Sequence, residues 1–344
     1  MEWTVAIGVD THKATHTAVA LDRLGVQVGS VEIEATSSGY LQLLRFAQAL
    51  GEPAFALEGA GSYGAGLARF LVAAGLPVYE VERPCRRERR RGKNDLLDAA
   101  RAAGRLLSGH GLSGLRGGGQ AREDLRLLLL ERRGALRAHT AALNQLHAIV
   151  VTSPAELRER LNGLRGDKLV RRCLRLRAPD ERDQTFVSVL RRLARRAAQL
   201  TAELAELEQD LEPIVSALAP ELLKECGVGP ICAAQLVVSS GDPSRMRSEA
   251  SFAALAGTSP VEASSGPTRR HRLNRGGDRQ LNSALHVIAR TRSRCHPETH
   301  AYYQRLLDRG KSRREALRCV KRTLARHLYR QLVANPALHR DLTT

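Results

Sequence analysis

Aromatic residues make up only 3% of the 344 positions, so stacking on unpaired bases, which needs aromatic platforms, is excluded as the main way of holding a polymer. No apolar run approaches the ~18 residues that a membrane span requires. Nothing near Met1 has the pattern of a secretory signal. The six cysteines, Cys85, Cys173, Cys226, Cys232, Cys295 and Cys319, form neither a CxxC pair nor a zinc-ligand spacing. The expectation is a soluble, reduced, cytosolic protein with no membrane partner. Lysine is also rare beside arginine, the mark of a coding bias, yet arginine binds phosphate bidentately whatever supplied it.

What the chain does have is positive charge. A formal net charge of +18 surrounds the molecule with a field that attracts phosphate polymers, so nucleic acid is the expected partner. The length exceeds one typical domain and suggests two or three.

The first hundred residues alternate strand and helix signals. Thr4 to Asp10 has Val5, Ile7 and Val9 on one face, the period of a half-buried strand. Strands follow at His16–Leu21 and Val26–Ile33, joined by tight turns into an antiparallel meander. A helix over 39–50, a strand at Ala54–Leu57, a helix over 63–74 and a strand over 77–81 complete a series that is the order of a ribonuclease-H-like fold. Asp10 and Glu58 each stand at a strand end.

The stretch Gly92 to Ala100 adds Asp95 and Asp98, three residues apart and therefore on one helix face. On their own they suit a helix start, where carboxylates favour the macrodipole. Together with Asp10 and Glu58 they form a set that can hold two divalent cations for in-line displacement at phosphorus. The run Arg86 to Arg91, with Lys93, lies directly upstream. Arg87, Arg89, Arg90, Arg91 and Lys93 are the candidates to hold a phosphate backbone beside the metal. Gly59-Ala60-Gly61-Ser62-Tyr63-Gly64 also matches a dinucleotide-binding fingerprint, with Glu80 about twenty residues on. It does not sit in the first strand–helix unit, and Glu58 directly precedes it where pyrophosphate would lie.

Beyond Arg101 the pattern is helical. Residues 109–119 are glycine-rich and read as a flexible connection. Leu125, Leu129, Leu136, Leu143 and Val150 mark one long helix, and a broken basic segment, 158–177, separates it from a second. Phe186, Leu190, Leu193, Ala197, Leu200, Leu204, Leu207 and Leu211 form a heptad seam in that second helix. The seam is a coiled-coil signal and serves equally a hairpin within the chain or a contact between subunits. Pro213 should end or kink the helix. Leu222 to Pro230 then has the look of a helix-hairpin-helix, whose Gly227 and Gly229 would offer backbone N–H groups to a DNA phosphate. Ser264-Ser265-Gly266 precedes a cluster of Arg269, Arg270, Arg272 and Arg275, an arrangement that suits a nucleophile with a phosphate clamp. The remainder, 281–332, is helical and basic.

Taken as an ordered series, Gly8-Val9-Asp10-Thr11-His12-Lys13, Leu57 to Tyr63, Lys93 to Ala99, the helical spacer, Gly227-Val228-Gly229, Phe252 to Pro260 and Ser264-Ser265-Gly266 resemble the DEDD-type insertion-sequence transposases, the bridge-RNA-guided serine recombinases. Glu58-Gly59-Ala60-Gly61 departs from the Glu-Ala-Thr-Gly common there, and Thr258-Ser259-Pro260 from Leu-Thr-Pro; neither removes a candidate ligand. The resemblance implies an α/β RuvC-like domain over 1–108, a coiled-coil spacer over 109–219 and a mostly helical serine transposase domain over 220–344. It implies Mg²⁺ on Asp10, Glu58, Asp95 and Asp98, and Ser265 as the residue that becomes linked to DNA. It also implies a structured bridge RNA pairing with donor and target DNA, and a dimer or tetramer. The alternative is a RuvC-like Mg²⁺-dependent structure-specific nuclease that uses water. A non-enzymatic nucleic-acid scaffold and a dinucleotide enzyme are the more distant readings.

Overall fold

The computed structural model describes residues 3–81, 94–115, 119–178, 180–263, 271–272 and 274–339. They fall into two compact units, one built on residues 1–119 with 241–247 and 338–344, the other on 120–240 with 248–337.

The first unit is α/β. Strands β1 (Val5–Thr11), β2 (Thr15–Leu21) and β3 (Gln27–Glu34) form the expected antiparallel meander. Helix α1 (Ser37–Leu50), capped by the Thr36 hydroxyl, leads to β4 (Pro53–Glu58), which lies parallel to β1. Helix α2 (Ala65–Ala73) leads to β5 (Val78–Val81), parallel to β4. Helix α3 (Asp95–Ser108) follows. The glycine-rich connection contains a short strand, β6 (Leu112–Gly114), so the expectation of plain linker there is corrected. Its backbone pairs antiparallel with the open edge of β5, Val81 against Leu112 and Tyr79 against Gly114. That pairing satisfies polar groups whatever side chains the segment carries. The sheet order is β3-β2-β1-β4-β5-β6, consistent with a RuvC-like domain.

Alternation along the strands divides the core in two. Val5, Ile7, Val9, Ala18, Ala20, Phe55 and Leu57 face α1 and α2. Ala6, Val19, Ala54, Ala56 and Val81 face the other way, onto Ala99, Ala102, Ala103 and Leu106 of α3. The β1 strand is therefore buried on both faces rather than one. Its second face is made of small residues because the helix lies so close. A methyl added at Gly8 would overlap the Ala99 carbonyl and the Ala103 amide and reach 3.0 Å from the Ala102 carbonyl carbon.

The second unit is nearly all helix. Helix α4 (Gln120–Thr152) packs along α7 (Gln184–Leu218) in the same chain. Between them α5 (Ala155–Leu161) and α6 (Gly166–Leu174) close a core around Leu146, Leu157, Leu161, Leu169, Cys173 and Leu190. In α7 the buried positions are Val187, Leu190, Ala194, Ala197, Leu207, Leu211 and Val215, whereas Phe186, Leu193, Leu200 and Leu204 of the heptad seam are only half-buried. Pro213 lies within α7 and does not end it. It falls on the exposed face, where the carbonyl it leaves unpaired meets water, while Leu211 and Val215 are fully buried and hold the helix on course. Then come α8 (Pro220–Lys224), α9 (Pro230–Ser240), α10 (Glu249–Leu255), a hairpin of β7 (Val261–Glu262) and β8 (His271–Arg272), α11 (Arg279–Cys295), α12 (Pro297–Asp308) and α13 (Arg313–Ala334). Among the described residues no helix is long and apolar enough to cross a membrane.

Two outcomes follow. Gly8→Ala meets backbone rather than a movable side chain, so it should lower stability by about 3 kcal/mol in denaturant unfolding; an unchanged midpoint would place α3 farther from β1. His16 is fully buried and stacked on Tyr40, with ring centroids 5.9 Å apart. Burial pushes its pKa below the ordinary 6.5. The folded state therefore prefers neutral imidazole, full stability is present above that value, and it is lost as pH falls below it. Melting at pH 8 and at about pH 5.5 should show a smaller acid-induced drop in His16→Phe than in wild type.

Candidate metal centre and nucleic-acid contacts

Asp10 and Glu58 are register partners on the parallel strands β1 and β4. They continue the Ala6-Gly8 and Ala54-Ala56 rows, so both side chains project to the α3 side of the sheet. The Thr11 hydroxyl donates to the Glu58 carbonyl at 2.7 Å and ties the two strand ends together. On the facing side Asn94 caps α3 by accepting from the Leu96 amide at 3.0 Å, which starts the helix at Asp95 and puts Asp95 and Asp98 in its first turn.

Asp10, His12 and Asp95 offer ligand atoms that all lie within 4.8 Å of one another. His12 Nδ1 is 3.9 Å from an Asp10 oxygen and 4.0 Å from an Asp95 oxygen. Asp10 is mostly buried and Asp95 half exposed. Asp98 turns instead to Arg101, with an Oδ1–guanidinium distance of 2.8 Å. Two carboxylates and an imidazole suit a divalent cation, since oxygen and imidazole nitrogen are its ordinary protein donors. An open groove beside Asp95, lined also by Asn94 and Leu96 and by Thr17, Ser30 and Glu32 of the meander, gives solvent access.

His12 is the member that sequence reasoning passed over as part of a turn. The signal available was its position two residues beyond a strand-end aspartate, where a tight turn folds it back toward that aspartate; its amide bonds the Thr15 carbonyl at 3.0 Å. The glycines after Glu58 have a local reason. Gly59 adopts φ +76°, and a methyl on Gly64 would reach 2.9 Å from the Thr11 side chain. They let the turn before α2 pack on the end of β1.

In the second unit Gly227 holds φ +81° in the turn between α8 and α9, and a methyl there would reach 3.2 Å from Thr291 and 3.3 Å from Arg292. Gly229 directly precedes α9 and faces open space. Beside the turn, the Glu225 carboxylate accepts from Arg292 at 2.9 Å and from His327 at 2.8 Å. Burial alone raises Glu225; the hydrogen bonds from His327 and Arg292 outweigh it and hold the carboxyl below the usual range. Arg272 and Arg275 are exposed and line one groove with Val261 and Asn274. Lys321, in the basic stretch 281–332, is buried and donates to the Asn282 amide oxygen at 2.9 Å. Arg87, Arg89, Arg90, Arg91, Lys93, Ser264, Ser265, Arg269 and Arg270 lie outside the described residues.

Comparison with known proteins assigns these two regions. Residues 7–153 match a DEDD-type IS110 domain described as a transposase, and residues 220–304 match the transposase IS116/IS110/IS902 family. An uncharacterized 42 kDa protein of insertion element IS900 from Mycobacterium paratuberculosis is 25% identical over 100% of this chain and 99% of its own length. An uncharacterized 43.6 kDa protein of insertion element IS110 from Streptomyces coelicolor is 35% identical over 35% of this chain and 31% of its own length. A DEDD-type transposase brings with it the expectation of a divalent metal, and the donor set around Asp10 suits one. The two matched regions and these relatives support an insertion-sequence DNA transposase of the IS110/IS116/IS902 family.

Proposed function

We propose that this transposase cuts and rejoins DNA through a covalent serine–DNA link, with a divalent cation, Mg²⁺, held by Asp10, Glu58, Asp95 and Asp98 and approached by His12. The observation that carries the metal half of this reading is the convergence of Asp10, His12 and Asp95 from β1, the turn after it and α3. Asp10 and Glu58 are fixed by strand register, and Arg101 steadies Asp98. When bound, the cation would polarise the reacting phosphate and offset its negative charge.

The serine half rests on the resemblance. Ser265 Oγ would form a bond to phosphorus while a DNA hydroxyl leaves with a proton. The phosphodiester bond is exchanged rather than hydrolysed, and the reverse exchange rejoins the ends. In this division of labour residues 1–108 carry the acids, 109–219 act as the helical spacer and 220–344 carry the serine. Arg272, Arg275 and the Gly227-Val228-Gly229 turn, together with Arg87, Arg89, Arg90, Arg91, Lys93, Arg269 and Arg270, would contact nucleic-acid backbone. A structured RNA encoded by the element would pair with donor and target DNA. A protein of net charge +18 with 3% aromatics suits such delegated reading, because backbone contact carries affinity while base pairing carries sequence. A dimer or tetramer would bring two such sites to two DNA ends.

One observation favours a second reading: Asp10, His12 and Asp95 converge within a unit that has its own sheet and core, as a hydrolytic nuclease using water would need. Covalent trapping separates the two. The full chain is incubated with Mg²⁺, DNA carrying the joined element ends and the RNA transcribed from its flank, and protein–DNA adducts are resolved under denaturing conditions. Wild type should form an adduct, and Ser265→Ala and Asp10→Ala should each reduce it at least ~100-fold. Cleavage without an adduct, persisting in Ser265→Ala, would establish the nuclease instead.

A further inference from the structure

The Sγ atoms of Cys226 and Cys295 stand 3.2 Å apart although 69 positions separate them in the chain. Cys226 lies in the turn between α8 and α9, and Cys295 is the exposed last residue of α11. The two carriers are held together by other groups. Arg292, buried in α11, pairs with Glu225 and also donates to the Cys226 carbonyl at 3.5 Å. The adjoining Gly227 packs on Ile288, Thr291 and Arg292 of the same helix. Little movement separates these thiols from a disulfide, whose sulfurs lie about 2.05 Å apart.

We infer that Cys226 and Cys295 form an oxidation site, a dithiol that a hydroperoxide converts to an intrachain disulfide tying the α8–α9 turn to the end of α11. Cys295 is the sulfur that meets the oxidant, because it is exposed. Its sulfur bonds one peroxide oxygen as the O–O bond breaks, giving a sulfenic acid and releasing water or the matching alcohol. The Cys226 sulfur then displaces that hydroxyl, which leaves as water with the Cys226 proton. Two thiol sulfurs are oxidised and one peroxide is reduced. The hydrogen bond to Cys295 and burial both raise the Cys226 thiol, consistent with its holding a proton until the second step. The other described cysteines are placed differently: Cys173 is buried with its thiol pushed up to about 11, Cys232 is raised by burial, and Cys319 is half-buried in α13. The inference needs only these two sulfurs and stands apart from any role of the turn in binding DNA.

The test treats the dilute full chain with hydrogen peroxide, blocks free thiols by alkylation and maps tryptic peptides without reduction. The expected product joins residues 225–245 to 295–305, with fragmentation placing the link at Cys226 rather than Cys232 and a mass about 2 Da below the sum of the two thiol peptides. Dithiothreitol should release it. Cys232→Ser should keep the link, and Cys295→Ser should lose it. Full alkylation of both cysteines after peroxide, or links that instead join other cysteines or separate chains, would overturn the inference.

Discussion

The first unit depends on how closely α3 lies on β1. Gly8 has no side chain, so the backbone of Ala99 to Ala103 sits where a Cβ would be. Small residues on both sides, Ala6, Ala54 and Ala56 below and Ala99, Ala102 and Ala103 above, continue the contact. The gain is dispersion between closely packed backbones rather than large apolar area. Its consequence is positional. The first turn of α3 is held over the ends of β1 and β4, where the sheet places Asp10 and Glu58.

That geometry offsets an electrostatic cost. Carboxylates crowded at one point repel one another, and the α3 N-terminus and Arg101 each relieve part of the repulsion. Elsewhere the chain carries an excess of positive charge. An acidic point on a basic chain can draw in a cation while the surrounding field draws in the polyanion on which it would act. The second unit holds its polar contacts differently, with the half-buried Glu225 carboxylate at the end of α8 joined to Arg292 of α11 and His327 of α13.

Much of this was legible in residue order. The β1-β2-β3 meander, the two strand–helix units after it and the acids at strand ends follow from alternation and turn residues, which are local properties. The second buried face of β1 was less legible, because Ala6 and Gly8 carry little hydrophobic signal and their burial depends on a helix ninety residues away. Strand β6 is held by the β5 edge, and its own Leu-Ser-Gly sequence gives no hint of it. Pro213 misled for the opposite reason: a local rule lost to the packing of Leu211 and Val215. His12 escaped notice because a turn residue becomes a candidate ligand only when α3 arrives opposite it. Lys321 lies in a basic stretch, so its neighbours in sequence give no hint that it is buried against Asn282.

The central claim is that α3 brings Asp95 to Asp10 and His12 to make one cation site. The most direct measurement is titration of the full chain with Mn²⁺, whose free and bound forms differ in electron paramagnetic resonance, for wild type, Asp10→Asn, Asp95→Asn and His12→Ala. The account predicts that Asp10→Asn and Asp95→Asn each weaken binding at least ~10-fold, and that His12→Ala weakens it measurably. Equal Mn²⁺ affinity in all four proteins would contradict it.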